Sequence, residues 1–310
     1  MAPVETIAWW LRQDDEQVQL NTAPTAGFNG FIRSVPASPT SINCYIVFFP
    51  GVGDFAADDL SPGQTWLIDR LVEQHPNCIA VKDVFPYSVA SNNLGELPIE
   101  GALWKAAWDA EGWLNDLDVL VKIRNLWQFA MSADDRYSPI YSQGIAKAVV
   151  DRMNAAHPIS PHQPINIILM GTSGGVQIAL GAAPYLKDSL NAKLTVISLG
   201  GCFDGGVGLQ SVQRMYHLHG QYDWVDDVGA IIFPSRWQWV GSSSIDEAKK
   251  QERYEARMSG PHTHDGETGY FGLGKLENSR SAKTYVQLTL EQLNQLPIWA
   301  EMTLPNHKQI

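Results

Sequence analysis

Ile165-Asn166-Ile167-Ile168-Leu169-Met170 runs directly into Gly171-Thr172-Ser173-Gly174-Gly175 and then into Val176-Gln177-Ile178-Ala179-Leu180. The first six residues are an almost unbroken apolar run rich in β-branched side chains, as in a strand covered on both faces. The last five suit a helix. Between them stands a serine with a glycine two positions to either side. A sharp strand-to-helix turn brings backbone close to backbone, so the flanking residues must be small, and the turn lifts the serine Oγ out of the sheet. This is the geometry of a nucleophile elbow. The G-x-S-x-G pattern alone is weak, and its setting between a buried strand and a helix gives it weight. The competing reading of Ser173 is a glycine-rich turn that only packs.

Similar apolar runs recur at Ile42 to Phe49, Cys78 to Val84, Leu194 to Leu199 and Met215 to Leu218. Their continuity predicts parallel strands buried on both faces. Helical patterns lie between them. Ser61-Pro62 reads as a cap and first-turn proline leading into Trp66 to Gln74, and Tyr141 to Ala156 carries Ile145, Val149 and Met153 at spacing four. Gln17 to Leu20 and Phe28 to Ser34 are expected as antiparallel edge strands at the start, with a late strand near Arg236 to Val240. An extra helix over Ile245 to Met258 and a closing helix over Lys283 to Gln295 complete the expectation.

The stretch 88–140 is too long for a plain connection and reads as a helical insertion before the helix that precedes the nucleophile strand. Trp104 and Trp108 stand four apart, and Trp113, Leu117, Leu120, Ile123, Trp127 and Met131 follow a helical stripe. Either these helices pack on the main sheet or they form a lid that offers aromatic surface to the hydrocarbon part of a substrate.

The chain has 310 residues, of which 45% are hydrophobic and 18% charged, enough for one large α/β domain or two small ones. A formal charge of -11 without clustered Lys and Arg excludes a phosphate-backbone partner, so no nucleic acid is expected. No basic leader precedes an apolar stretch at the start, and no apolar run is long enough to span a bilayer. The three cysteines, Cys44, Cys78 and Cys202, lack metal spacing and read as reduced core thiols of a cytoplasmic protein.

A serine hydroxyl is a poor nucleophile at neutral pH, so it needs a base, and the base needs a carboxylate to hold its tautomer. Met215-Tyr-His-Leu-His-Gly220-Gln-Tyr-Asp223 ends a predicted strand and delivers Asp223 at its carboxyl tip, where such sites sit. Asp226 and Asp227 compete but look like the cap of a following helix. For the base, Ser259-Gly-Pro-His262-Thr-His264-Asp-Gly266 presents two imidazoles. His262 follows a Gly-Pro turn and His264 precedes Asp-Gly, with the preference leaning to His264. Two backbone N–H groups should face the developing oxyanion. Gly174 offers one, and the glycine loop after the first long strand, Pro50-Gly51-Val52-Gly53, offers the other from Val52 or Gly53.

Taken together, the elbow, the early glycine loop and the order Ser173, Asp223, His264 resemble the α/β-hydrolase superfamily over roughly residues 40–296. The resemblance implies a single domain over 1–310 with a mostly parallel, about eight-stranded sheet and helices on both faces. It also implies an acyl-serine intermediate and no metal or organic cofactor. In it Ser173 is the nucleophile, Asp223 the acid, His264 or His262 the base, and Gly174 with Val52 the oxyanion hole. The expected activity is hydrolysis of an ester or thioester by a serine hydrolase, and Trp104, Trp108, Trp113 and Trp127 suggest a small-molecule substrate with an apolar acyl or alcohol part. Acyl transfer on the same triad and non-enzymatic binding of a small apolar ligand are the alternatives. A metal-dependent hydrolase is a further one, motivated by the pairs His217/His219 and His262/His264.

Overall fold

Strand β1, Cys44–Phe49, is buried at every position because its alternate side chains enter two separate cores. Tyr45, Val47 and Phe49 face one core, and Cys44, Ile46 and Phe48 the other. The computed structural model describes residues 42–51, 60–84, 138–159, 164–225, 229, 231, 233, 236, 243–276 and 282–303. All of these belong to one of the two compact units into which the chain divides, the unit made of 42–87 and 115–310.

After β1 come helix α1 (Pro62–Gln74), strand β2 (Cys78–Val81), helix α2 (Ser138–Ala156), strand β3 (Ile165–Thr172) and helix α3 (Gly175–Ser189). Strand β4 (Ala192–Leu199), the short helix α4 (Val207–Ser211), strand β5 (Arg214–Gly220), helix α5 (Ser244–Lys250) and strand β6 (Tyr254–Gly260) follow. Helices α6 (Tyr285–Asn294) and α7 (Ile298–Thr303) close the order. The six strands form one sheet in the order β2-β1-β3-β4-β5-β6, and every neighbouring pair is parallel. One core takes side chains from α2 to α5, including Val149, Met153, Ile178 and Ile245, and the other takes Leu67, Ile68 and Leu71 of α1 with Leu290, Leu293 and Trp299 of α6 and α7. Helices therefore cover both faces.

The local signals account for several boundaries. Ser61 caps α1 by accepting the N–H of Gln64, whose side chain accepts the N–H of Ser61, with Pro62 in the first turn. Thr284 and Gln287 build the same reciprocal cap at the start of α6. The expected strands and helices at 42–49, 78–84, 141–156, 165–170, 194–199 and 215–218 all have counterparts. The sheet nevertheless holds six strands among the described residues, where about eight were expected. The two expected antiparallel edge strands, 17–20 and 28–34, and nearly all of the insertion 88–140 lie outside the described residues. Arg236 sits in a 3₁₀ turn, and the rest of the expected late strand is likewise outside.

Two expectations are corrected. The helix expected over Ile245 to Met258 is instead α5 followed by β6, broken at Glu252, whose φ of 57° is left-handed. Strand β6 ends the sheet order on its side. Tyr254, Ala256 and Met258 alternate with Glu255 and Arg257, which is the period-two pattern of a strand and not the three-to-four spacing of a helix face. The second correction concerns the cysteines. Parallel register sets Cys44 beside Cys78, and the two form a disulfide across Cα atoms 4.3 Å apart, which leaves the buried Cys202 as the cysteine outside the bond. Among the described residues no helix is long and apolar enough to cross a membrane.

The disulfide closes a loop of sequence separation 34, for which loss of unfolded-chain entropy corresponds to about 4 kcal/mol of stability. Replacing Cys44 and Cys78 together with alanine is expected to lower the denaturant midpoint of the oxidised protein to that of the reduced wild type. Non-reducing peptide mapping should recover one cross-linked pair and an unmodified Cys202.

Candidate active site

The strand order reverses between β1 and β3, because the chain runs from β1 outward to β2 and then returns to β1's other side. In an open parallel sheet such a switch point leaves a crevice at the carboxyl ends of the two strands, where ligands bind. Strand β1 runs out there into Pro50-Gly51 and β3 into Ser173. Ser173 has a φ of 51°, one of two positive values among the described non-glycine residues. A side chain in that region strains against its own backbone by about 1–2 kcal/mol, so neighbouring structure must enforce it. The first turn of α3 does so by lying directly on the end of β1. A Cβ at Gly175 would collide with the carbonyl of Phe49 and stand 2.5 Å from that of Pro50. One added at Gly51 would stand 3.1 Å from the Cβ of Ser173, so the loop after β1 passes beside the serine. Gly174 is the N-cap of α3, at the positive end of its dipole. Val52 lies outside the described residues.

The loop after β4 brings the next element to the serine. The N–H of Cys202 donates to the carbonyl of Ser173 at 3.1 Å, and a Cβ at Gly200 would meet Asp223 Oδ2. Asp223 follows the end of β5 and is 5% exposed. Its Oδ1 accepts from His264 Nδ1 and from the N–H of Val225, both at 2.9 Å, and its Oδ2 accepts the hydroxyl of Tyr270 at 2.7 Å. Burial alone would push this carboxyl up, but the bonds from His264, Tyr270 and Val225 hold it below the ordinary aspartate value. The group is therefore an ionised acceptor. Nδ1 of His264 must carry the proton, which leaves Nε2 as the lone-pair nitrogen of the neutral ring. Burial disfavours the imidazolium, yet Asp223, with a smaller share from Asp265, raises His264 above its ordinary value.

The two histidines of this loop have separate fates. His262 is fully buried, with Nδ1 3.1 Å from Ser259 Oγ and Nε2 3.0 Å from Thr289 Oγ1 and 3.3 Å from the carbonyl of Tyr285. Both nitrogens are engaged, and burial lowers its pKa, keeping the ring neutral. Its backbone carbonyl also accepts the N–H of Tyr222, which braces the turn carrying Asp223. The loop itself is stapled by bonds from Thr263 to the carbonyl of Thr268 and from Gly274 to that of Glu267.

Among known proteins, no family model, no curated protein and no solved structure matches this chain.

Asp223 and His264 are brought together, and Ser173 shares the Gly200–Cys202 loop with Asp223. Asp226, Asp227, Trp104, Trp108, Trp113 and Trp127 lie outside the described residues. His217 is 1% exposed, with its Nδ1 2.8 Å from Ser198 Oγ and its ring against Phe203 and Tyr254. Among the described residues no three His, Cys, Asp or Glu side chains are grouped to hold a metal. Tyr270 is the contact that no sequence pattern announces, since its partner stands 47 positions away.

Relief of the left-handed backbone should make Ser173→Gly more stable than wild type by about 1 kcal/mol, while Gly175→Ala should cost about 2 kcal/mol through its clash with β1. Chemical denaturation reads both. The lowered Asp223 pKa contributes stability above the unfolded aspartate value that is lost as pH falls through the folded one. The raised His264 pKa contributes stability below the unfolded histidine value that is lost as pH rises through the folded one. Asp223→Asn is thus expected to destabilise by about 2 kcal/mol near pH 5.5 and by less at pH 8.5, measured by urea midpoints at both.

Proposed function

We propose that this protein is a serine hydrolase of the α/β-hydrolase type that cleaves an ester or thioester through an acyl-serine intermediate. Ser173 Oγ attacks the carbonyl carbon while His264 Nε2 takes its proton. The Asp223 carboxylate holds the imidazole in the tautomer that can do so and stabilises the imidazolium that results. The N–H groups of Gly174 and Val52 receive the oxyanion. His264 then returns the proton to the leaving alcohol or thiol, and water, activated by the same nitrogen, clears the acyl group. An alcohol in place of that water would make the reaction acyl transfer on the same groups.

The observation that carries this reading is the pairing of an ionised, buried Asp223 with His264 at the same sheet edge as a serine in left-handed backbone. Backbone strain of this kind clusters where a side chain must be presented to a ligand. The six parallel strands, with the serine at their switch point, support the same reading, and the tryptophan-rich stretch 104–127 of the sequence supports a substrate with an apolar acyl or alcohol part. The cytoplasmic placement expected from the sequence rests on reduced cysteines. The Cys44–Cys78 bond removes that ground and favours a compartment in which disulfides persist.

Purified protein is expected to hydrolyse p-nitrophenyl esters and to be labelled by a fluorophosphonate probe at Ser173. Ser173→Ala should abolish labelling, and His264→Ala should lower kcat by about 10³-fold or more. His262 gives a contrast: a conservative His262→Gln should act through stability, with loss of activity following loss of fold in thermal scans. No turnover and no labelling by the wild-type protein, or labelling that survives Ser173→Ala, would sink the proposal.

A further inference from the structure

The two oxygens of Asp223 are used differently. Oδ1 takes the Nδ1–H of His264 and the N–H of Val225, while Oδ2 takes the hydroxyl of Tyr270. The Tyr270 oxygen also accepts the N–H of Gly220 at 2.7 Å, the residue on which β5 ends and the turn to Asp223 begins. A phenol has one hydrogen, and the amide of Gly220 can only donate, so that hydrogen goes to the carboxylate. One hydroxyl thus ties the acid to the backbone of the turn that carries it.

The ring of Tyr270 is itself held from below. It is fully buried and lies parallel to the His262 ring, with centroids 5.2 Å apart and planes 9° from each other. Its backbone carbonyl accepts the hydroxyl of Thr289 at 2.7 Å, and Thr289 also bonds His262. Tyr270 therefore cannot swing away from Asp223 without breaking contacts to β5, to α6 and to the loop that carries both histidines.

Resting on the serine-hydrolase reading, we propose that Tyr270 is a positioning residue of that site, acting through Asp223 by occupying Oδ2 so that Oδ1 stays directed at His264. The hydroxyl also draws carboxylate charge toward Oδ2 and away from the imidazole. Without it, Oδ2 and the N–H of Gly220 both lose their partner, and more negative charge stands opposite Nδ1–H, which makes the imidazolium easier to form. The groups that set this balance are Asp223 on the β5 turn, His264 and Asp265 on the loop, and His262 beneath the ring. His262 adds no charge, because burial keeps it neutral.

The test follows the rate of fluorophosphonate labelling against pH in wild-type full-length protein, in Tyr270→Phe, and in protein whose tyrosines are replaced by 3-fluorotyrosine, a stronger hydrogen-bond donor that preserves the fold. Labelling rises through the ionisation of His264. Tyr270→Phe is expected to lower the plateau rate by about 10- to 100-fold and to move the midpoint upward by about 0.5 pH unit, and 3-fluorotyrosine to move it downward. With an ester substrate, kcat should fall while KM holds. A purely structural role would lower the melting temperature and leave the midpoint in place. If Tyr270→Phe does not fold, the fluorinated protein alone decides. Normal wild-type labelling with a midpoint that stays put, or moves opposite to these directions, overturns the role of Tyr270 and leaves the hydrolase reading intact. Wild-type protein that is never labelled overturns both.

Discussion

A carboxylate removed from water is the most demanding group in this molecule, and the arrangement around Asp223 is what satisfying it requires. An ionised carboxyl buried without partners would protonate, so its lone pairs must be filled by donors that cannot drift. The donors come from separate places in the chain: the N–H of Val225 from its own turn, the imidazole of His264 from the loop after β6, and the phenol of Tyr270 from farther along that loop. Each needs support. Tyr270 leans on His262 and Thr289, and His262 on Ser259 and the first turn of α6. A polar network thus runs from the second core outward to the sheet edge and ends at His264, whose Nε2 has no hydrogen-bond partner among the described residues.

The serine end of the crevice is governed by sterics rather than charge. The first turn of α3 lies so close to the end of β1 that its backbone leaves no room for a side chain at Gly175, and the same closeness keeps Ser173 in its left-handed conformation. These two halves, one electrostatic and one steric, meet through the short Gly200 to Cys202 loop, which touches both Asp223 and Ser173.

What could be read in advance from the chain divides along the same line. Strands β1 to β5 were legible because strands buried on both faces must be apolar almost throughout, and the elbow because its glycines are required by close backbone contact. Strand β6 was not, although Tyr254 to Met258 alternate apolar and charged residues as a strand does, because this short run follows directly on the helix-forming residues of α5 and reads as their continuation. Asp223 and His264 could be proposed from their places at a strand tip and a loop, but the choice between His262 and His264 is a matter of depth, which local sequence does not encode. Two His-x-His pairs look equivalent on paper, yet His217 and His262 are held in the interior by hydroxyl partners, Ser198 and Ser259 with Thr289. The cysteines misled for a related reason: Cys44 and Cys78 fit buried strands, and only the parallel register reveals that they stand side by side.

That cross-link has a bearing on association between molecules. Strand β2 is four residues long and terminates the sheet order on its side among the described residues. An outer strand presents unpaired N–H and C=O groups to other chains, and exchange of an element between copies is a low-cost route to dimers. The Cys44–Cys78 bond ties β2 covalently, at its first residue, to the strand it pairs with, so in oxidised protein β2 cannot leave its own sheet for a neighbour's without the bond first being reduced.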